Sequence, residues 1–309
     1  MTNWLIIGGT GRIGRHLVKR LVMRGDNVIV SSRTVPVHES RWIQGIEFVH
    51  SSDQDAGKPF LNAWEKSDTV INLIGEDVAQ KWSPETKKNI LDSRVNSTGM
   101  ISFLYDSLKK NPKTWINASA VGYYGSDGEV ADEKTENGDS WLADVCKLWE
   151  DEIKADGDIR KITLRIGPVL QKESGPFPKI NLPYKLGFGA WLGSGKQFFP
   201  WIHIDDVVDS IIFLEKNSES SGTFNLVAPE STTQKEFCIA LNEAYGRPRW
   251  QMQPQIASLA AGIALKTILG EMSCLLLEGR EISSQKILDI GYKFKYPTAL
   301  RACKALLAK

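Results

Sequence analysis

Three stretches of this 309-residue chain carry residue types and spacings that can do chemistry. The first is Gly8-Gly9-Thr10-Gly11-Arg12-Ile13-Gly14, placed directly after the apolar run Trp4-Leu5-Ile6-Ile7. A helical pattern follows it, His16-Leu17-Val18-Lys19-Arg20-Leu21-Val22. Strand, glycine turn and helix make the first half of a dinucleotide-binding βαβ unit. Glycine is required where the backbone turns to positive φ and where a side chain would block a pyrophosphate. The helix start adds free N–H groups and the positive end of a dipole. Gly9-x-Gly11-x-x-Gly14 fits the general fingerprint, so Gly8, Thr10, Gly11, Arg12, Ile13 and Gly14 are candidate cofactor ligands.

The second stretch ends the next strand. After Asn27-Val28-Ile29-Val30-Ser31 comes Ser32-Arg33-Thr34, with no acid. A site for NAD usually places Asp or Glu about 20 residues after the glycines, bonded to the ribose 2′-hydroxyl. A carboxylate there repels a 2′-phosphate, whereas an Arg and a hydroxyl hold one through charge-assisted hydrogen bonds. Ser32 and Arg33 therefore point to NADP(H).

The third stretch is Trp115-Ile116-Asn117-Ala118-Ser119-Ala120-Val121-Gly122-Tyr123-Tyr124-Gly125. A strand ending at Ser119 can bring a hydroxyl to a substrate carbonyl or alcohol. Ligands of doubly wound sheets lie outside the carboxyl ends of strands. By that rule Leu73, Gly75 and Glu76, at the end of the strand Thr69–Glu76, run beside the ribose and pyrophosphate, and Arg165 can point toward the cofactor from the strand Ile162–Leu170. Arg94 and Asn96, on a helix from about Pro84 to Leu108, face either the site or solvent.

Elements that alternate strand and helix position these residues. They predict an α/β fold, a Rossmann-type doubly wound parallel sheet with right-handed connections. Residues 1–170 form the NADP-binding domain, completed by about 202–230. The segments 171–201 and 231–309 form a smaller, mainly helical region over the substrate, with a hinge near 248–255. Within it, the glycines and aromatics of 187–201 read as a substrate-covering loop, and His203 reads as structural. Lys+Arg 38 against Asp+Glu 37 gives a net charge of +1, which offers no support for a nucleic-acid partner. No apolar run reaches the roughly 18 residues of a membrane span. The four cysteines, 146, 238, 274 and 303, lack metal spacing, so no metal site is expected. The chain starts straight into a strand, which reads as a cytoplasmic protein without a signal peptide; a homodimer is an open possibility.

These features together resemble the extended short-chain dehydrogenase/reductase superfamily, whose glycine spacing Gly8-x-x-Gly11-x-x-Gly14 also fits. More narrowly the chain is similar to an atypical subfamily, NAD-dependent epimerase/dehydratase-like with a C-terminal domain of unknown function. Its marks are Asp92-Ser93-Arg94-Val95, Ser119 to Gly125, Gly193-Ser194-Gly195-Lys196-Gln197, Trp201 to Asp206, Gly270-Glu271-Met272 and Gly291 to Pro297. The resemblance implies an NADP(H) site and an oxidoreductase role on a small molecule.

Active members of the superfamily pair Ser with Tyr-x-x-x-Lys, four residues apart on one helix face. The Tyr moves a proton, and the Lys lowers its pKa. Here Lys147 fits the Lys position, but Ala143 stands where the Tyr belongs. Tyr105-x-x-x-Lys109 precedes the Ser119 strand and lies on the wrong helix. The ordinary mechanism of a UDP-sugar epimerase is thereby set aside. Three arrangements stay open: Tyr123 or Tyr124 supplies the proton, Cys146 or Asp144 does, or there is no donor and the chain is a non-catalytic NADP(H) sensor. Ser119, Tyr123 and Lys147 are the catalytic candidates. Fluorescence titration tests the phosphate argument: Arg33→Glu should weaken NADPH binding at least about tenfold, as expected for the loss of a charged hydrogen bond. NADH binding should not weaken, because a carboxylate there can accept from the ribose 2′-hydroxyl. Equal affinity of the native protein for NADH and NADPH would contradict it.

Overall fold

The computed structural model describes residues 1–32, 46–50, 57–187, 189–247 and 270–308. Arg33 and the hinge at 248–255 lie outside the described residues. Seven strands form one parallel sheet: β1 (Asn3–Ile7), β2 (Asn27–Ser32), β3 (Glu47–His50), β4 (Thr69–Asn72), β5 (Thr114–Ala120), β6 (Arg160–Ile166) and β9 (Gly222–Leu226), in the order β3-β2-β1-β4-β5-β6-β9. The order reverses between β1 and β4, which opens a crevice at their carboxyl ends.

Alternation along β1 explains the two helical layers. Trp4 and Ile6 enter a core with Leu17, Val18 and Leu21 of α1 (Arg12–Arg24) and Val207 and Ile211 of α6 (Ile204–Lys216). Leu5 and Ile7 point the other way, to Trp64 of α2 (Gly57–Lys66) and Ile101 and Leu104 of α3 (Pro84–Ser107). Both faces are covered, so the strands are apolar throughout, as a buried parallel sheet requires. On the α3 side lies α4 (Trp141–Asp151), whose start is capped by Ser140 accepting from the Ala143 amide.

Two strand ends differ from the sequence reading, each for a local reason. The fourth strand stops at Asn72 instead of running to Glu76, because the Asn72 side chain accepts the Ile74 amide at 3.1 Å and turns the chain. The sixth strand stops at Ile166 and does not continue to Leu170. A Cβ on Gly167 would sit 1.9 Å from the Pro200 carbonyl oxygen, so another backbone crosses there. The chain resumes as β7 (Val169–Leu170), paired in parallel with β8 (Ile202–His203).

A third core joins the C-terminal region to the sheet domain. It packs Phe177 and Tyr184 of α5 (Pro176–Lys185), Phe237 and Leu241 of α7 (Gln234–Ala244), and Ala302, Cys303 and Leu306 near the C-terminus around Trp201. Between these helices run α8 (Cys274–Leu277) and α9 (Gln285–Asp289), and the C-terminal helix is α10 (Ala299–Leu307). Asp206, wholly buried, ties the two regions together: its carboxylate accepts the Lys295 amide at 2.7 Å and the Tyr296 amide at 2.9 Å. Burial pushes its carboxyl up, and these bonds oppose the rise. Among the described residues no helix is long and apolar enough to cross a membrane.

His203 is structural, at the same junction. Its Nδ1 accepts the Asp205 amide at 3.1 Å and caps α6, while its ring lies 3.9 Å from that of Tyr296. An accepting Nδ1 needs the neutral imidazole. Burial lowers its pKa to about 4, against the pull of Asp205. The unfolded chain takes up the proton near its ordinary pKa of about 6.5. This contribution to stability is therefore full above about pH 6.5 and is lost as pH falls toward 4, by up to about 3 kcal/mol. Thermal melts should show that loss, and His203→Asn, a capping residue that does not titrate, should flatten it. An unchanged pH profile in that variant would contradict the assignment.

Candidate cofactor and catalytic site

The glycines form a cradle under the start of α1. Gly8 has φ +81°, and a Cβ there would sit 3.0 Å from Ile74 N and the Leu73 carbonyl carbon. The turn thus presses against the loop after β4. A Cβ on Gly14 would meet Gly9 Cα at 2.6 Å, so only glycine lets the helix lie on the turn. Gly11 is the N-cap of α1, with no side-chain cap and no acid in the first turn. The amides of Arg12, Ile13 and Gly14 have no carbonyl four residues back inside the helix. Space, donors and dipole together fit a pyrophosphate.

Around this cradle stand the other predicted contacts. Thr10 Oγ1 and Ser32 Oγ are hydrogen-bonded at 3.1 Å, which joins the glycine turn to the end of β2. Arg12 reaches across to Asp77, 2.8 Å apart and half exposed. Leu73 packs on the sheet core, and the Glu76 amide donates to Ser93 Oγ of α3 at 3.0 Å. Gly75 faces the guanidinium of Arg94, which lies over the Trp149 ring. Asn96 is exposed.

The catalytic candidates fall into different settings. Ser119 is buried and donates to Glu150 Oε1 at 2.6 Å. Glu150, on α4, also holds Arg165: Nε to Oε1 at 2.9 Å and Nη2 to Oε2 at 2.7 Å. Arg165 Nη1 donates to the Tyr124 hydroxyl at 2.9 Å, and that hydroxyl donates to Asn225 Oδ1 at 2.7 Å. Burial alone would lower the Arg165 pKa, but the bonds to Glu150 outweigh it and raise it. Burial pushes the Tyr124 phenol up to about 12, against the pull of Arg165. Arg165 was expected to point toward the cofactor. It is instead drawn into this ion pair, because a guanidinium buried between β5 and α4 needs a carboxylate.

Tyr123 stands apart from its neighbour. It is half-buried, and its ring lies 3.4 Å from Arg165 Cζ. Among the described residues its hydroxyl has no hydrogen-bond partner. Lys147 is exposed and holds Asp151 one turn on at 2.7 Å. That bond raises its pKa, with a smaller contribution from Tyr123. Ala143, at the expected Tyr position, is fully buried. Cys146 is buried too, and burial pushes its thiol up to about 12. The sequence reading missed Glu150. Its signal was available, since Glu150 follows Cys146 by four residues and Ala143 by seven, on one face of α4.

Known proteins resemble this chain in sequence and fold. Residues 4–143 match the NAD dependent epimerase/dehydratase family, and residues 260–306 match a domain of unknown function, DUF1731. The chain is 34% identical to an epimerase family protein SDR39U1 homolog, chloroplastic, of Arabidopsis thaliana, over 98% of this chain and 86% of that protein. It is 32% identical to the epimerase family protein YfhF of Bacillus subtilis, over 99% of this chain and 98% of that one. The crystal structure of human epimerase family protein SDR39U1 (isoform 2) with NADPH superposes with a TM-score of 0.84 at 28% identity, covering 98% of each chain. Likeness in sequence along nearly the whole length places it: the chain belongs to the epimerase family of SDR39U1-like proteins, a nicotinamide-nucleotide-binding family with a Rossmann-type fold.

Proposed function

We propose that this chain binds NADP(H) across the carboxyl edge of its sheet and passes a hydride between the nicotinamide and a small molecule lying under the 187–201 loop. The observation that carries the reading is the uncapped start of α1 above Gly8 and Gly14, where a Cβ would press into neighbouring backbone. The human relative with NADPH supports the choice of cofactor. The amides of Arg12, Ile13 and Gly14 hold the pyrophosphate. Thr10, Ser32 and Arg33 hold the 2′-phosphate, and Leu73, Gly75 and Glu76 run beside the ribose. The bound cofactor supplies or accepts the hydride.

Tyr123 carries the proton at the substrate oxygen. Its free hydroxyl and its setting beside Lys147 suit it to that task, and Tyr124 is excluded by burial and by its two hydrogen bonds. Arg165 lies flat on the Tyr123 ring and fixes it. Glu150 and Ser119 fix Arg165 in turn. Ser119 is then a positioning residue, one step removed from the substrate.

Gly11→Asp tests the cofactor site at small cost to the fold, since its Cβ would stand 3.1 Å from the Gly8 carbonyl oxygen. Gly11 has φ −70°, which any residue adopts, and Asp is a favoured N-cap. The variant should melt no lower than the native protein yet bind NADPH at least about tenfold more weakly, because its carboxylate occupies the anion's place. Undiminished NADPH binding would contradict the site. For the proton, Tyr123→Phe should lower kcat about a hundredfold or more on any substrate that oxidises NADPH, with NADPH affinity unchanged. Full turnover in that variant would remove Tyr123 from the mechanism. Glu150→Ala should cost about 3 kcal/mol of stability by leaving Arg165 buried without its carboxylate. Lys147→Ala should leave the Tm unchanged.

A further inference from the structure

Arg94 is a cation with no counter-charge within ion-pairing distance among the described residues. It sits on the third turn of α3, at the carboxyl edge of the sheet. Its Nη1 donates to the Ile90 carbonyl at 2.9 Å, and its Cζ lies 5.0 Å from the Trp149 ring centre. A Cβ on Gly75 would stand 3.1 Å from Nη2, so the bare glycine is what lets the guanidinium reach this edge. Nε and Nη2 make no hydrogen bond to any described residue.

The acids nearest Arg94 act on it only from beyond ion-pairing distance and make other contacts. Glu76 Oε1 accepts Gln80 Nε2 at 3.0 Å. Asp77 holds Arg12 with one oxygen and the Ala79 amide with the other. Cys146, also close, is a neutral thiol, since burial raises its pKa to about 12. Desolvation lowers the Arg94 pKa and outweighs the opposing pull of Cys146, Glu76 and Asp77, none of which forms an ion pair with it, so the fold bears a cost for this charge. Two free donors in a planar fork match a carboxylate or a phosphate.

The position of Arg94 says which anion. The pyrophosphate cradle is on α1, which follows β1. Arg94 lies beyond the loop after β4, toward β5. Its neighbour Cys146 packs against Gly122, where a Cβ would sit 3.7 Å from Sγ, and Gly122 directly precedes Tyr123. We propose that Arg94 receives an anionic group of the substrate, so that the molecule reduced or oxidised here is a carboxylate or a phosphate ester. This rests on the cofactor reading above, because it places the substrate beside a bound NADP(H).

Inorganic phosphate and acetate serve as probes. Each is titrated at constant ionic strength into the full-length protein saturated with NADPH, with tryptophan fluorescence and calorimetry as readouts. Saturable binding is expected, at least tenfold weaker in Arg94→Gln and at least fivefold weaker in Gly75→Ala, whose Cβ displaces the guanidinium. NADPH affinity should stay within about twofold in Arg94→Gln. Absence of saturable binding by the native protein, or equal binding by Arg94→Gln, would overturn the proposal. So would a tenfold loss of NADPH affinity in Arg94→Gln, which assigns Arg94 to the cofactor's own phosphates. Should Arg94→Gln fail to fold, Gly75→Ala decides: phosphate binding equal to native overturns the proposal. If the native protein does not bind NADPH, the cofactor reading falls by itself, and the same titration on the free protein still tests Arg94.

Discussion

A helix that starts without a cap, beneath a turn only glycine can make, is the constraint on which the rest of this structure depends. An uncapped start leaves several amides without an intrahelical partner. Most helices relieve this with Ser, Thr, Asp or Asn. Ser83 caps α3, Ser140 caps α4, Thr233 caps α7 in a reciprocal box with Glu236, and the His203 ring caps α6, while α5 begins at Pro176, which has no amide to satisfy. At α1 a glycine stands instead, with no acid in the first turn. The parallel sheet sends this helix start, the β4 loop and the end of β2 to one edge. An anion bound there is held by backbone, which no side-chain substitution elsewhere in the chain can supply.

A second constraint acts three strands away. Ser119 and Arg165 stand side by side in the β5–β6 register, and both turn to Glu150. The buried pair keeps Arg165 in place, and Arg165 keeps Tyr123 in place. In the short-chain dehydrogenases that this chain resembles, a Tyr and a Lys one helical turn apart do the proton chemistry. Here that helix carries buried Ala143 and exposed Lys147. Tyr123 stands in the turn after β5, with the Arg165 guanidinium over its ring. The C-terminal region is fastened to this unit through Asp206, which holds the Lys295 and Tyr296 amides, and through His203, whose ring packs on Tyr296.

Much of this was legible in the sequence because it is local. The glycine spacing, the alternation in β1 and the acid-free end of β2 follow from periods and turn chemistry within a few residues. So did His203 as a structural residue, since Asp205 and Asp206 beside it mark a helix start. What was not legible depends on contacts distant in sequence. The strand that stops at Ile166 does so because Pro200 crosses Gly167. The choice between Tyr123 and Tyr124 was closed to strand alternation because Val121–Tyr124 is a tight helical turn, where successive side chains point about 120° apart. Arg165 was read as a cofactor contact because Glu150, fifteen residues earlier, shows as its partner only after α4 packs on the sheet.

The most direct measurement of the central claim is a crystal structure of the full-length protein with NADPH. The account predicts the pyrophosphate within hydrogen-bonding distance of the Arg12 and Ile13 amides, the 2′-phosphate beside Ser32, and the nicotinamide on the side of Tyr123. A cofactor bound away from the start of α1, or a nicotinamide turned from Tyr123 toward Ser119, would contradict it.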